Sequence, residues 1–487
     1  MLEKKIDTLV PLNRKNCLTD KAPQPKILQF GAGNFLRGFI DWMVEKLNEE
    51  TPFNGGVIIV KPTERGDYTT LKEQDGLFHI STNGIKDGSL YSEHKLITCV
   101  KEVLHSYREW EQFLKTAEIP SIRFIVSNTT EAGIQFNTND QFADAPPKEF
   151  PAKLTKWLYH RFVHFQGSPN SACVMLPCEL IEDNGLALRD CILQYADQWS
   201  LGVAFKDWIL DHNIFCNTLV DRIVPGFPDK RKEVLFNEIG FEDKLLVDAE
   251  PYHIFVIQSP RAIKEELPFH QTNLNVVFTE DINTFRQLKV RILNGAHTSM
   301  VPVAYLSGIE SVREAVEDEV TGQYIQQLLF KEIIPSLDFP LAMSESYAKE
   351  ILDRFRNPFI HHRLLDIALN TIAKFKTRVL PSLLAYYEKE NTLAPRVVFA
   401  LASLIWFYRG KRQKEIIPLR DDPKAIDFFQ YLWSKVEDKT ITVEELVLLV
   451  LKKEDFWGQD LSTINGLSEQ LVIHLNAFYT KGFRVTV

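Results

Sequence analysis

Three side chains that could act together on a carbonyl group are Lys289, Asn294 and His297, in the segment KVRILNGAH. On a helix that advances about 100° per residue they lie within a sector of roughly 140°, with His297 between the other two. Carbonyl reduction needs such a set, because the oxygen becomes an alkoxide that must be stabilised and protonated. A buried lysine can be the acid–base group, Asn294 can donate to the oxygen, and His297 can orient the substrate. Taken alone, such residues are more often ordinary surface or capping residues.

A glycine-rich segment, GAGNFLRG, directly follows an apolar strand and opens a helix. That context suits a dinucleotide loop, since glycines allow close backbone approach and the helix N-terminus faces the pyrophosphate. Leu36 occupies the position of the usual third glycine, and an ordinary strand–helix turn stays an alternative. The candidate cofactor residues in this segment are Gly31, Ala32, Gly33, Asn34, Phe35, Arg37 and Gly38, of which Arg37 could add a charged phosphate contact.

The second strand ends at Lys61, where a dinucleotide fold usually carries an acidic residue for the ribose hydroxyls. Because no carboxylate follows at the strand tip, the local sequence does not decide between NAD and NADP. Lys61 could favour a 2′-phosphate, or it could be a solvated residue at the start of a loop.

The elements that must position these residues change in type along the chain. Strand-like and helix-like segments alternate in the first half, which predicts a mostly parallel sheet covered on both faces. From Asp281 onward helical periodicity dominates. We therefore predict a Rossmann-type α/β domain over 1–280 followed by a mainly α-helical domain over 281–487. The predicted strands are 26–30, 56–60, 96–103, 122–127 and 172–176; the predicted helices are 34–49, 106–116, 151–165, 283–306, 312–337, 344–355, 358–384 and 395–408.

Bulk composition excludes several classes of protein. The chain has 56 basic and 65 acidic residues, so a nucleic-acid partner is not expected. The six cysteines form no CxxC pair, which predicts reduced thiols. The first sixteen residues contain no apolar core of signal-peptide length, and the longest apolar run, 397–408, is too short to span a bilayer, so we expect a cytoplasmic protein. No metal-binding motif occurs, and we expect the adjacent His361 and His362 to point to different sides of a helix.

Several segments resemble the mannitol dehydrogenase family of polyol-specific long-chain dehydrogenases. GAGNFLRG is similar to the family's cofactor loop, and Lys289, Asn294 and His297 are similar to its KxxxxNxxH signature. Further similar segments, in the same order as in the family, are SNTTEAG at 127–133, CELIEDNG at 178–185, LVDRI at 219–223 and RFRNP at 354–358.

This resemblance implies an NAD-dependent oxidoreductase with its active site between a Rossmann-type domain and a helical domain. It implies metal-independent catalysis with Lys289 as the acid–base residue, and with Asn184 and Asn294 as oxyanion donors. His297 would lie beside the substrate and Asp221 would be a further site residue. Glu131 would line a water path that exchanges the proton of the lysine.

Several stretches are most similar to family members that act on sugar acids. A carboxylate substrate requires an additional cation, and Arg356, Lys374 and Arg378 are the candidates. Asp366 stands where polyol dehydrogenases tend to have arginine, and Glu179 replaces the family's aspartate. Two alternatives stay open: another uronate or a neutral polyol as substrate, and a non-catalytic NAD-binding protein. The sequence does not predict the oligomeric state.

Overall fold

Fourteen of the strands lie in the N-terminal part of the computed structural model, which describes residues 9–17, 23–129 and 133–485. They are β1 Val10–Pro11, β2 Gln24–Phe30, β3 Gly55–Lys61, β4 Phe78–Lys86, β5 Ser89–Ile97, β6 Val100–His105, β7 Phe124–Ser127, β8 Val174–Pro177, β9 Ile214–Phe215, β10 Asn217–Asp221, β11 Phe241–Glu242, β12 Val247–Ala249, β13 Ile254–Gln258 and β14 Val276–Thr279.

Six of these strands form the central sheet, in the order β6-β3-β2-β7-β8-β9, and each of its pairings is parallel. Counted along the chain this order is 3-2-1-4-5-6, the arrangement of dinucleotide-binding doubly wound folds. The order reverses between β2 and β7, so the crevice for a ligand lies at their carboxyl ends. The predicted Rossmann-type fold class is confirmed.

Alternation along the sheet strands builds a core on both faces. Val57 and Ile59 of β3 pack into one cluster of buried residues, whereas Ile58 and Val60 pack into another. Successive side chains of a strand point to opposite faces, so a continuous apolar strand is buried on both sides. Three smaller groupings accompany this sheet: β1 with β11, β12 with β4 and β5, and β10 with β13 and β14.

Eight α-helices belong to the same part of the chain. They are α1 Asn34–Leu36, α2 Trp42–Glu50, α3 Thr69–Glu73, α4 Trp110–Lys115, α5 Phe150–His164, α6 Asn184–Gln198, α7 Val203–His212 and α8 Lys232–Ile239. A π-helical turn over Arg37–Asp41 joins α1 to α2. The helix that follows the glycine-rich segment therefore continues from Asn34 to Glu50, close to its predicted bounds.

The remaining α-helices make the second compact unit almost entirely helical. They are α9 Asn283–Leu288, α10 Gly295–Leu306, α11 Val312–Glu317, α12 Glu319–Leu328, α13 Leu341–Phe355, α14 Leu364–Ile367, α15 Thr371–Arg378, α16 Leu380–Glu390, α17 Pro395–Phe407, α18 Pro423–Glu437, α19 Val443–Leu451, α20 Glu454–Trp457 and α21 Leu467–Lys481. Two π-helical turns, Lys289–Asn294 and Leu329–Ile333, continue α9 into α10 and extend α12. A two-stranded hairpin, β15 Lys411–Arg412 with β16 Glu415–Ile416, lies between α17 and α18.

The described residues divide into two compact units. One comprises the residues up to Gly84 together with 90–282, and the other comprises 85–89 together with the residues from Asn283 onward. The domain bounds 1–280 and 281–487 stay a prediction. No disulfide joins the described cysteines, five of which are buried. None of the described helices combines the length and hydropathy that a membrane-spanning helix needs.

Four predicted elements are wrong in detail. The predicted helix 312–337 is divided into α11 and α12, because Asp318 between them has an extended conformation (ψ 138°). The predicted strand 96–103 is the end of β5 and the start of β6, which are separated by a short break. The predicted helix 358–384 is divided into α14, α15 and α16, because Asn370 takes a left-handed conformation (φ 52°) between the first two. His361 and His362 lie in irregular backbone before α14 rather than on a helix.

Candidate functional site

The glycine-rich segment forms the turn between β2 and its helix. Gly31 has φ +113°, a conformation that favours glycine, and its N–H donates to the carbonyl of Val60 at 2.9 Å. Gly33 directly precedes the helix, and a Cβ added there would meet no heavy atom within 4 Å. Backbone of this helix start is therefore open at Gly33, as an approaching pyrophosphate requires.

Arg37 and Gly38 stabilise this turn through buried contacts. The Arg37 guanidinium is buried and donates to the carbonyls of Ala32 (3.2 Å) and Leu245, and to Asn34 Oδ1 (2.8 Å). A Cβ on Gly38 would lie 2.8 Å from Val224 Cγ1, so glycine allows the helix to pack closely here.

The π-helical turn gives a reason for the displaced third glycine of the motif. A π turn contains one residue more than an α-helical turn, and Gly38 lies inside it. The predicted phosphate contact of Arg37 stays a prediction.

Three further predicted cofactor residues differ in their exposure. The ring of Phe35 stacks on Phe39 with 4.8 Å between ring centres, so it supports the helix. The N–H of Ala32 donates to the hydroxyl of Tyr68 at 2.8 Å. Asn34 is exposed beside Gly33, although its Oδ1 accepts from Arg37. Gly33 and Asn34 are therefore the residues of the loop that a ligand can reach.

Lys61 ends β3 beside the glycine turn, but its ammonium group is already bound. It is 7% exposed, and its Nζ donates to Thr63 Oγ1 at 2.7 Å. The same Nζ lies 5.3 Å from the ring centre of Tyr68. Burial lowers the pKa of Lys61, while nearby Asp67 raises it. This environment differs from the solvated loop residue that was the alternative interpretation.

A buried carboxylate organises the carboxyl ends of β7 and β8. Glu179 is 2% exposed and accepts hydrogen bonds from Ser127 Oγ (3.0 Å) and from the N–H and hydroxyl of Thr129 (2.9 Å each). Burial raises the pKa of Glu179, and these hydrogen bonds oppose that rise. The predicted Glu131 lies outside the described residues.

Asn184, predicted as an oxyanion donor, is committed to the backbone around it. Its Nδ2 donates to the carbonyls of Pro177 and Glu179 at 3.0 Å each, and its Oδ1 accepts from the N–H of Thr218 at 2.9 Å. An amide nitrogen has two hydrogens, and both have acceptors here. In this conformation Asn184 fixes the ends of β8 and β10, and its contact with a substrate oxygen stays a prediction.

The predicted site residue Asp221 ends β10 and is 9% exposed. The next residue, Arg222, donates to the carbonyls of Gly38 (2.6 Å) and Glu250 (2.9 Å), and its guanidinium lies 4.0 Å from the ring centre of Trp42. Burial lowers the pKa of Arg222 to about 9. Arg222 thus fastens the end of β10 to the π turn of the cofactor helix.

In the helical unit, the three residues of the proposed catalytic signature lie on one continuous helix over 283–306. Its turn over Lys289–Asn294 is π-helical. The estimate of a 140° sector assumed α-helical geometry, in which residues five apart are 140° apart. The wider π turn reduces that angle, because residues five apart are linked by its i→i+5 hydrogen bonds. Lys289 and Asn294 are therefore closer to a common face than the sequence predicted, and both are half-buried.

His297 lies one turn further on, enclosed by rings. Its imidazole stacks on Phe355 with ring centres 4.4 Å apart, and meets His362 edge-on at 5.1 Å. Its Nε2 is buried and has no hydrogen-bond partner. Burial lowers the pKa of His297 well below the ordinary value, and the next four causes are neighbouring bases: His362, Arg354, Arg378 and Lys374. His297 is therefore a neutral imidazole with one nitrogen available to a ligand.

The three predicted substrate cations have different partners. Arg356 is ion-paired with Asp353 at 3.6 Å. Lys374 donates from Nζ to the carbonyl of Ile367 at 2.9 Å, and burial lowers its pKa. Arg378 ends α15 and is half-buried, and its guanidinium has no hydrogen bond or ion pair with another described residue. Its backbone carbonyl would lie 3.2 Å from a Cβ added to Gly295, so glycine next to Asn294 permits this approach.

Sequence reasoning missed two neighbours of His297. From the sequence, His362 is expected on one side of a helix, and Phe355 is included only in the RFRNP segment. Phe355 is the last residue of α13, and His362 lies in the loop that follows. Both are far from His297 in the sequence, so no local periodicity indicates these contacts. Within the described ranges no group of three or more His, Cys, Asp or Glu residues could hold a metal ion.

Comparison with known proteins covers both units. Residues 25–271 match the mannitol dehydrogenase Rossmann domain, and residues 281–479 match the mannitol dehydrogenase C-terminal domain. An altronate oxidoreductase of Pectobacterium carotovorum subsp. carotovorum (strain PC1) is 44% identical over 482 residues, which are 98% of this chain and 99% of that protein.

Two solved structures share the fold. A D-sorbitol dehydrogenase in substrate-free form has a TM-score of 0.75 and 22% identity, covering 97% of this chain and 99% of that chain. A Pseudomonas fluorescens mannitol 2-dehydrogenase in a ternary complex with NAD and D-mannitol has a TM-score of 0.63 and 20% identity, covering 97% and 98%.

Proposed function

This chain belongs to the mannitol dehydrogenase family and is an oxidoreductase acting on CH–OH groups, and we propose that it interconverts D-tagaturonate and D-altronate with NAD, in hexuronate breakdown. The similarity to altronate oxidoreductases over nearly the whole chain supports this substrate pair. The observation that carries the proposal is the concentration of basic groups around the neutral His297, which suits an anionic sugar.

The residues of the glycine turn fit a dinucleotide. Gly33 leaves open space at the start of the helix, where backbone N–H groups point outward. We propose NAD rather than NADP because the Lys61 ammonium is bound to Thr63 and only 7% exposed, so it is not presented to a 2′-phosphate. When bound, the nicotinamide supplies the hydride that reaches the ketone carbon.

We assign to Lys289 the transfer of the proton in this reaction. During reduction its ammonium group gives a proton to the ketone oxygen, and during oxidation its amine takes that proton from the hydroxyl. Asn294, brought towards the same face by the π turn, donates a hydrogen bond to the oxygen as charge develops on it. Exchange of the proton through Glu131, and a contact of Asp221 with the reacting group, are further parts of the proposal.

His297 orients the substrate through Nε2. A neutral imidazole can donate or accept there, depending on its tautomer, so it suits a sugar hydroxyl, which does both. The burial of this nitrogen without a protein partner means that a substrate oxygen would satisfy it. If the imidazole were protonated, Nε2 could only donate a hydrogen bond and could no longer accept one.

The test follows NADH absorbance with tagaturonate for the wild type, Lys289→Ala and Lys331→Ala. We expect Lys289→Ala to lose on the order of two or more decades in kcat, and added primary amines to restore part of the rate. Lys331 is an exposed lysine of the same unit, and its variant should match the wild type. Full activity of Lys289→Ala would show that the lysine mechanism is wrong.

The substrate and coenzyme assignments are tested by comparing rates. Tagaturonate, fructuronate and fructose are each supplied with NADH and with NADPH. Fastest turnover of fructuronate or fructose would leave the family membership intact and overturn the substrate. Absence of NADH oxidation with every ketose and keto acid would instead favour a non-catalytic NAD-binding protein, a function for which the Lys289 ammonium has no evident use.

A further inference from the structure

We propose that Arg378 is the residue that binds the substrate carboxylate and thereby selects a sugar acid over a neutral ketose. The inference rests on the proposed function. It assigns to one side chain a role for which the sequence left three candidates, Arg356, Lys374 and Arg378.

Positive charge is concentrated around His297. Its four strongest electrostatic neighbours are all bases, two of them arginines and one a lysine. Like charges brought together away from water repel one another, so an anion that joins them is stabilised. A substrate with a carboxylate supplies such an anion, whereas a neutral ketose does not.

Three of the nearby cations already have partners. Arg354 is 8% exposed and already has a partner of its own. Arg356 is ion-paired with Asp353. Lys374 donates a hydrogen bond to the carbonyl of Ile367, and the carboxylate of Asp421 opposes the lowering of its pKa.

Arg378 differs from all three. Its side chain is half-buried, and no described residue accepts from its guanidinium. Burial is the cause of its lowered pKa, with no acidic neighbour opposing it. A guanidinium that has lost water without gaining a partner is a site prepared for a carboxylate, because its planar fork can donate two parallel hydrogen bonds.

The position of Arg378 also suits this role. Arg378 is the last residue of α15, and its carbonyl approaches Gly295, which directly follows Asn294. The end of α15 is thus in contact with the helix that carries Lys289, Asn294 and His297. A substrate oxygen held by Asn294 or His297 and a carboxylate held by Arg378 are compatible with one sugar-sized molecule. The negative end of the α15 dipole also stabilises a cation in this last turn.

The experiment compares Arg378→Gln and Arg378→Lys with Arg356→Gln and Lys374→Gln. Arg313→Gln serves as the control, since Arg313 is a surface residue paired with Glu317 in α11. For each full-length enzyme, kcat and KM are measured with tagaturonate, fructuronate and fructose in the presence of NADH. Affinity for NADH and the thermal midpoint show that each variant is folded.

We expect Arg378→Gln to raise KM for the keto acid by about 10²-fold, with a smaller change in kcat, because a charge-assisted pair is lost. Arg378→Lys should recover part of this loss, since it keeps the charge but not the fork. Turnover of fructose should not fall, and Arg313→Gln should match the wild type.

The results separate the two proposals. If the wild type reduces a keto acid and Arg378→Gln keeps its KM within threefold, the assignment of Arg378 is overturned while the proposed function stands. A large rise in KM confined to Arg356→Gln or Lys374→Gln would transfer the role to that residue. A wild type that reduces only neutral ketoses would overturn both proposals.

Discussion

The imidazole of His297 lies flat against the phenyl ring of Phe355, with the ring centres 4.4 Å apart and the planes inclined by 28°. The ring of His362 contacts the imidazole of His297 edge-on, with the two ring planes inclined by 80°. Stacking on one face and an edge contact on another leave the ring little freedom to turn. The orientation of Nε2 is therefore set by α13 and the loop after it, not by the helix that carries His297.

Replacement of Phe355 by alanine should admit water beside His297. Since burial is the largest cause of the lowered pKa of His297, its pKa should rise towards the ordinary value of about 6.5. The pH profile of kcat/KM should then gain a transition near pH 6–7 that the wild type lacks. Phe355→Leu, which keeps more apolar cover, should shift the pKa of His297 less.

The double variant Phe355→Ala/His297→Asn is the control for this prediction. Asparagine keeps a polar side chain at the position but does not titrate. If the new transition persists in the double variant, His297 is not the group that titrates, and the explanation through Phe355 is wrong.

Two glycines of the cofactor turn should respond differently to alanine. Gly33→Ala adds a methyl group to open space, so the thermal midpoint should stay within about 1 °C while the Kd for NADH rises tenfold or more. Gly38→Ala places a methyl group 2.8 Å from Val224, so it should lower the thermal midpoint by several degrees. Calorimetry of both variants, with and without NADH, checks this. Equal stability and equal NADH affinity would contradict it.

The sequence predicted the fold class because that information is local. Strands such as GVIIV are continuous apolar runs, and the glycine turn between β2 and its helix carries its own signature. Bounds were less well predicted where the chain turns without glycine or proline. Asn370 breaks a long periodic stretch with a left-handed conformation, which asparagine adopts more readily than most residues but which its presence alone does not require.

The residues of the candidate site could be proposed from the sequence, whereas their arrangement in space could not. Lys289, Asn294 and His297 share a helix, and their resemblance to the family's signature singled them out, because their spacing alone also suits ordinary surface residues. The π turn that brings two of them together has no sequence rule, since π turns depend on packing around the helix. The contacts of His297 with Phe355 and His362, and the lack of a protein partner for Arg378, depend on tertiary structure and could not be predicted at all.

A buried ion pair in the helical unit should be important for stability. Glu332 is 1% exposed, pairs with Arg396 at 2.9 Å, and accepts from the N–H groups of Arg396 and Val397 at the start of α17. Glu332→Ala removes the carboxylate partner of Arg396, which keeps only Gln327 as an acceptor, and leaves two helix N–H groups without theirs. We therefore expect a loss of about 3–5 kcal/mol in unfolding free energy. The loss in unfolding free energy is measured by urea unfolding of the variant and the wild type.

Glu317→Ala is the matched control, because Glu317 pairs with Arg313 on the surface of α11. An exposed pair of this kind contributes about 0.3–0.5 kcal/mol. Similar losses for the two variants would show that the Glu332 pair is no more important than a surface contact.

Asp41 lies beneath the cofactor turn, in the π-helical turn that begins at Arg37. It is 0% exposed, and burial raises its pKa to about 7, while Gln29 and Arg37 oppose the rise and Glu45 adds to it. Gln29 donates to Asp41 Oδ2 at 3.3 Å and to the carbonyl of Gly31 at 3.1 Å. Asp41 Oδ1 has no hydrogen-bond partner in the structure. The carboxyl is thus linked through one amide to the first glycine of the turn.

The ionisation of Asp41 should make the N-terminal unit less stable as the pH rises. The unfolded chain loses this proton near pH 4 and the folded chain near pH 7, so the folded state binds more protons between these values and stability falls across that window. Asp41→Asn stays neutral, and its thermal midpoint should gain several degrees on the wild type between pH 5 and pH 8. The exposed Asp229→Asn should track the wild type at both values. Scanning calorimetry at the two pH values decides the matter, since a constant difference between Asp41→Asn and the wild type would mean that Asp41 does not titrate in this range.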